Sequence, residues 1–101
     1  MSNQFGDRIK LQREQNQLLQ RQVASQLDID GSMLSKIEGG DRKAKKEQVA
    51  QFAKVLKMNP DELLTLWLAD QLIEVVEGEY LALKAIQVAE DGVKYNSKKK
   101  K

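Results

Sequence analysis

Between Leu19 and Gly40 the chain reads LQRQVASQLDIDGSMLSKIEGG, two short amphipathic helical patterns separated by a turn of only three to four residues. So brief a turn rules out an antiparallel hairpin. It sends the second helix steeply across the first and leaves one side of it uncovered. Val23, Ala24 and Leu27 form the apolar side of the earlier helix, and Leu34 and Ile37 that of the later one. Gly31, Ser32, Met33, Ser35 and Lys36 then point outward or lie at the edge. A rod of small, hydroxyl and cationic side chains suits the major groove of duplex DNA.

The remaining sequence excludes much else. A chain of 101 residues supplies one modest core. There is no cysteine and no histidine, which removes disulfides, thiolate nucleophiles, imidazole bases and the usual zinc ligands. Nor is there a glycine-rich phosphate loop, so no catalytic residue, metal site or cofactor is expected. No apolar run approaches the roughly 20 residues that span a bilayer. The opening MSNQFGDRIK lacks the hydrophobic stretch of a signal peptide. The expectation is a soluble cytoplasmic protein with no membrane partner.

Charge is distributed unevenly. Residues 1–58 hold 11 Lys/Arg against 7 Asp/Glu, and residues 59–97 hold 2 against 8, before the four closing lysines Lys98 to Lys101. The front of the chain can meet a polyanion, whereas the acidic stretch behind it would be repelled. Ordinary surface charge is the plainer alternative.

Helix signals follow one another along the chain. Phe5, Ile9 and the edge residue Leu11 mark a first helix from about Asn3 to Gln15, with Asp7 in its opening turn. A second runs from about Gln20 to Leu27. Asp30 is a good N-cap for a third, which continues to about Glu38 and stops at Gly39-Gly40, one of that pair being left-handed. Val49, Phe52, Ala53 and Leu56 recur at three- and four-residue intervals in a fourth, from about Lys46 to Lys57. Asn59-Pro60-Asp61-Glu62 gives the strongest start signal: N-cap, proline at the first helical position, and glutamate at the capping-box position. The helix it opens should run about 17 residues, roughly 25 Å, toward Gly78. A sixth is expected over about Glu79 to Glu90, followed by a disordered lysine-rich tail.

From about Phe5 to Leu64 these features together resemble the Cro/phage-repressor type of helix-turn-helix, also called the xenobiotic response element family. The resemblance rests on Arg13, Leu18, Gln20, Val23-Ala24, Leu27, Ile29, Ser32, Leu34-Ser35-Lys36-Ile37-Glu38, Gly40 and Asn59 to Leu64. It implies an all-α fold: a five-helix DNA-binding domain over residues 1–68, a C-terminal helical extension over 69–91, and the tail over 92–101. By the same resemblance, Ser32, Met33 and Lys36 reach base edges. Gln20, Arg42, Lys43, Lys45 and Lys46 hold phosphates, and Arg13 pairs structurally with Glu38. Plainer roles stand beside these: a helix-start residue for Ser32, core or a partner-facing position for Met33, solvated lysine for Lys36, and a solubilising loop for the basic cluster.

Three positions depart from the family pattern. Asp28 replaces a usual glycine in a turn that needs positive φ, which aspartate tolerates better than most residues. Gly31 occupies a position that often supplies a base-reading side chain. Asp30 brings a carboxylate toward the DNA backbone.

Past residue 68 there are too many apolar groups for one side of a lone surface helix. Trp67, Leu68, Leu72, Val75, Val76 and Tyr80 are the expected homodimer interface, the alternative being that the sixth helix completes the monomer's own core. The function expected is a sequence-specific transcriptional regulator on double-stranded DNA, an autoregulatory repressor or restriction–modification controller with no small-molecule effector. The other class considered is an antitoxin or protein-interaction module whose acidic C-terminal helices bind a partner.

Overall fold

Short helices need tertiary support, because isolated helices under about 12–15 residues are marginal in water. The computed structural model, which describes residues 2–99, shows how that support is arranged. Six helices follow in order: α1 (Gln4–Gln15), α2 (Gln20–Gln26), α3 (Gly31–Gly39), α4 (Lys46–Leu56), α5 (Pro60–Val76) and α6 (Ala82–Lys99). The described residues contain no strand. The fold is all-α, a helix-turn-helix arrangement with an added C-terminal helix.

The core is built from the first five helices. Phe5 and Ile9 of α1 meet Val23, Ala24 and Leu27 around α2, Leu34 and Ile37 of α3, the α4 stripe Val49–Phe52–Ala53–Leu56, and Leu63 of α5. Phe5 and Phe52 pack edge to face at 5.7 Å, an arrangement favoured by the ring quadrupoles. The last core residue is Leu63.

Local signals behave as their chemistry requires. Asn59 Oδ1 accepts from the Asp61 and Glu62 N–H groups at 2.8 and 3.2 Å, with Pro60 opening α5. Glu62 accepts from Arg8 Nε of α1 at 3.2 Å. Gly40 ends α3 in the left-handed conformation (φ 86°). Asp28 is left-handed as well (φ 57°). At Gly6, a Cβ would run into Asn3 and the carbonyls of Ile37 and Glu38, so this glycine lets α1 lie directly on the end of α3.

One tie crosses most of the chain. Asp70 on α5 accepts from Ser2 Oγ (2.6 Å) and from the Gln4 and Phe5 N–H groups (3.0 and 2.9 Å). It therefore caps α1 from another helix.

The C-terminal end differs from its expected form. Gly78 (φ 80°) does interrupt the chain, but α6 begins at Ala82 and continues through Lys99 instead of ending near Glu90 with a disordered tail. Nothing from Asp91 to Lys99 breaks a helix except Gly92, at about 1 kcal/mol relative to alanine. Lys94 pairs with Glu90 one turn back at 3.6 Å, and lysines near a helix C-terminus complement its dipole. Lys100 and Lys101 lie outside the described residues.

Candidate nucleic-acid interface

Helix α3 is fixed at both ends and along its underside. At its start, Asp30 accepts from the Met33 N–H (2.7 Å) and the Ser32 hydroxyl (2.9 Å). These two donors hold the Asp30 carboxyl below the usual carboxylate range, the Met33 N–H having the larger effect. At its end, Lys36 O receives the Asp41 and Arg42 N–H groups at 2.9 and 3.2 Å, which turns the basic loop back onto the helix. Leu34, Ile37 and Glu38 are buried beneath.

Glu38 joins three helices. Arg13 of α1 meets it with two parallel bonds, Nε to Oε2 at 2.7 Å and Nη2 to Oε1 at 3.0 Å, and Gln20 Nε2 of α2 adds a third at 2.9 Å. The remaining arm of Arg13 donates to Leu18 O at 2.9 Å. Hydrogen bonding to Glu38 raises the Arg13 pKa, opposed by burial and helped by the carboxylate's charge. The ion pair is buried and fully hydrogen-bonded, the condition under which such a pair is tolerated. Through it, the relative placement of α1, α2 and α3 is set by one carboxylate.

The candidate contact residues sort themselves by exposure. Gly31, Ser32, Ser35 and Lys36 are exposed along the outer side of α3. Ser35, one turn beyond Ser32, extends that side, and its i+3 spacing was readable from the sequence. Met33 is half-buried and packs against the core, adjoining Leu34 at the margin of the apolar stripe. The Ser32 hydroxyl directs its hydrogen at Asp30, so in this rotamer it offers lone pairs outward. One Gln20 amide hydrogen is committed to Glu38, and an amide NH2 has a second to give.

In the basic cluster, Arg42, Lys43, Lys45 and Lys46 are all exposed. Lys43 also leans onto α5: its Nζ lies 5.8 Å from the Trp67 ring centre and donates to Gln71 Oε1 at 3.3 Å. Trp67 is half-buried: its indole N–H donates to Ala44 O at 2.8 Å and its ring packs against the core. Leu68, Leu72, Val75 and Tyr80 are exposed, and Val76 is half-buried.

A family model described as a helix-turn-helix domain matches residues 6–67. The chain belongs to the helix-turn-helix family. The matched span covers more than half the chain, begins inside α1 and ends at Trp67 inside α5. The helix-turn-helix proper is α2–α3, and the exposed side of α3 is the part that such domains present to DNA. Comparisons with curated proteins and with solved structures returned no match. Among the described residues no helix is long and apolar enough to cross a membrane, and no group of three or more acidic residues is gathered as a metal site.

Proposed function

We propose that this chain is a sequence-specific transcriptional regulator of the Cro/phage-repressor type. It acts as a homodimer on an inverted repeat in the cytoplasm, as an autoregulatory repressor or restriction–modification controller, with no catalytic role and no small-molecule effector. The observation that carries this reading is the two-sidedness of α3, whose underside is buried and tied to two other helices while Ser32, Ser35 and Lys36 face solvent.

Roles follow from chemistry at each position. Lys36 donates to guanine O6 and N7. Ser32, presenting lone pairs, accepts from the exocyclic amine of adenine or cytosine. Gln20, Arg42, Lys43, Lys45 and Lys46 hold phosphates, positioning the helix without reading sequence. Lys45 and Lys46 stand at the start of α4, where the helix dipole disfavours cations. A phosphate there would neutralise the lysines and meet main-chain N–H groups at once. Two copies reading half-sites about one helical turn apart, roughly 34 Å, double a readout that is sparse in one copy.

The test is a pair of titrations beside a footprint of the DNA upstream of the protein's own gene. Lys36→Ala should weaken cognate binding by about 1–3 kcal/mol and leave binding to random duplex nearly unchanged. Equal loss on both would make Lys36 a backbone contact. A second reading, an antitoxin-like module holding a partner protein, draws on the apolar side chains exposed on α5 and α6. Recovery of a stoichiometric partner, with no shift of any duplex, would favour it.

A further inference from the structure

Helices α5 and α6 leave an open apolar groove of ≈ 460 Å³ between them, lined by Leu72, Ile73 and Val76 on one side and Ile86, Ala89 and Val93 on the other. Ten large apolar side chains from Leu68 to Tyr95 are between 40% and 93% exposed. Four of them, Leu72, Val75, Ile86 and Val93, line the groove, the kind of exposed apolar patch that marks an interaction surface. A helix of 18 residues with this much apolar surface in water is incomplete as a monomer.

The geometry points to a second copy of this chain as the occupant, with the two α6 helices antiparallel about a two-fold axis beside Ala89. This deepens the dimeric reading above and rests on it. Ala82, Ile86, Ala89 and Val93 recur at four, three and four residues, the spacing of a helix–helix seam with small and large side chains alternating. Turned antiparallel about that axis, Ile86 of each copy reaches the level of Val93 of the other. Ile86 and Val93 then face one another on either side of the axis, and Ala89 faces its own copy at the centre.

Charge selects the direction. The last turns of α5 and the link to α6 are acidic, with Glu74 and Glu79 exposed, and the sequence at the far end of α6 closes with the four lysines from Lys98. Antiparallel pairing carries each lysine-rich end to the other copy's acidic turn. Parallel pairing would bring acid to acid and lysine to lysine, which is repulsive twice over. An interface of this kind is isologous and closes at two copies.

The absence of cysteine makes a clean test available. The full chain should sediment as a dimer. The double variant Ile86→Glu, Val93→Glu should sediment as a monomer at every concentration, both side chains being at least 40% exposed and remote from the core. Under mild oxidation Ala89→Cys should link to itself in high yield. Ala82→Cys, on the same stripe but about 20 Å from its own copy across the axis, should not. Efficient self-linking of Ala82→Cys would overturn the antiparallel arrangement, as would a dimer in which Ala89→Cys stays unlinked. A wild-type monomer would overturn the proposal and leave the groove to a different protein, even if that monomer still shifts duplex DNA. A dimer linked through Ala89→Cys that binds no duplex would instead sink the regulator reading and leave this interface standing.

Discussion

Helices α1 to α4 are 7 to 12 residues long and most of the large apolar side chains they bring are buried or half-buried, Leu11 and Leu19 excepted; α5 and α6 have 17 and 18 residues, and from Leu68 onward most large apolar side chains are exposed. Both regions are helical for opposite reasons. In the first, packing makes short segments helical that would not be so alone. In the second, length, good local propensity and few breakers sustain the helix while its apolar surface still lacks cover. A matching family span that stops at Trp67 falls close to that divide. One chain thus holds a finished unit and a projecting arm.

The sharpest way to break this contrast is a truncation inside the finished unit. Phe52 is fully buried and packed edge to face against Phe5, so Phe52→Ala should cost about 3–5 kcal/mol in urea unfolding. A small loss would mean that the core is looser than its packing implies. Next, Glu38→Ala leaves the buried Arg13 guanidinium without its partner and should cost about 3 kcal/mol. Retained stability there would show that water replaces the carboxylate, and the α1–α2–α3 clamp would lose its importance.

Acid offers a gentler probe of the same unit. Asp30 has a folded pKa below the ordinary 3.8, so its contribution is fully present above that value and disappears as pH falls through the folded pKa. The stability difference between wild type and Asp30→Ala should therefore shrink on acidification below about pH 4. A constant difference would remove the carboxylate charge from the cap's role. The smallest effect is expected on the arm: Val88 is exposed and does not line the α5–α6 groove, so Val88→Ala should change stability by less than about 0.5 kcal/mol. A larger loss would reveal cover on the opposite side of α6.

Features whose cause lies within a turn or two of sequence were readable in advance. The Asn59-Pro60 start, the Asp30 cap, the left-handed Gly40 and the buried stripe of α4 each depend on neighbours close in the chain. The outer side of α3 was readable for the same reason, since burying Leu34 and Ile37 turns Ser32, Ser35 and Lys36 outward. Met33 sits at the margin of that stripe, where periodicity alone does not fix the side. Trp67, Lys43 and Asp70 could not be placed, because their partners Ala44, the indole ring and the start of α1 are supplied by how α5 crosses the body. Helix α6 runs beyond Glu90 because a lysine-rich terminal stretch without proline continues a helix once it is under way, a continuation that composition near a terminus does not reveal.

The carboxylate of Asp70 has an architectural consequence. Because it grips the first turn of α1 at the point where α5 leaves the globule, the projecting helices depart at a bearing set by the opposite terminus of the polypeptide. Whatever is assembled on those helices inherits that bearing. In the proposed dimer, the orientation in which two copies meet a duplex would therefore be governed at a joint far from any nucleotide.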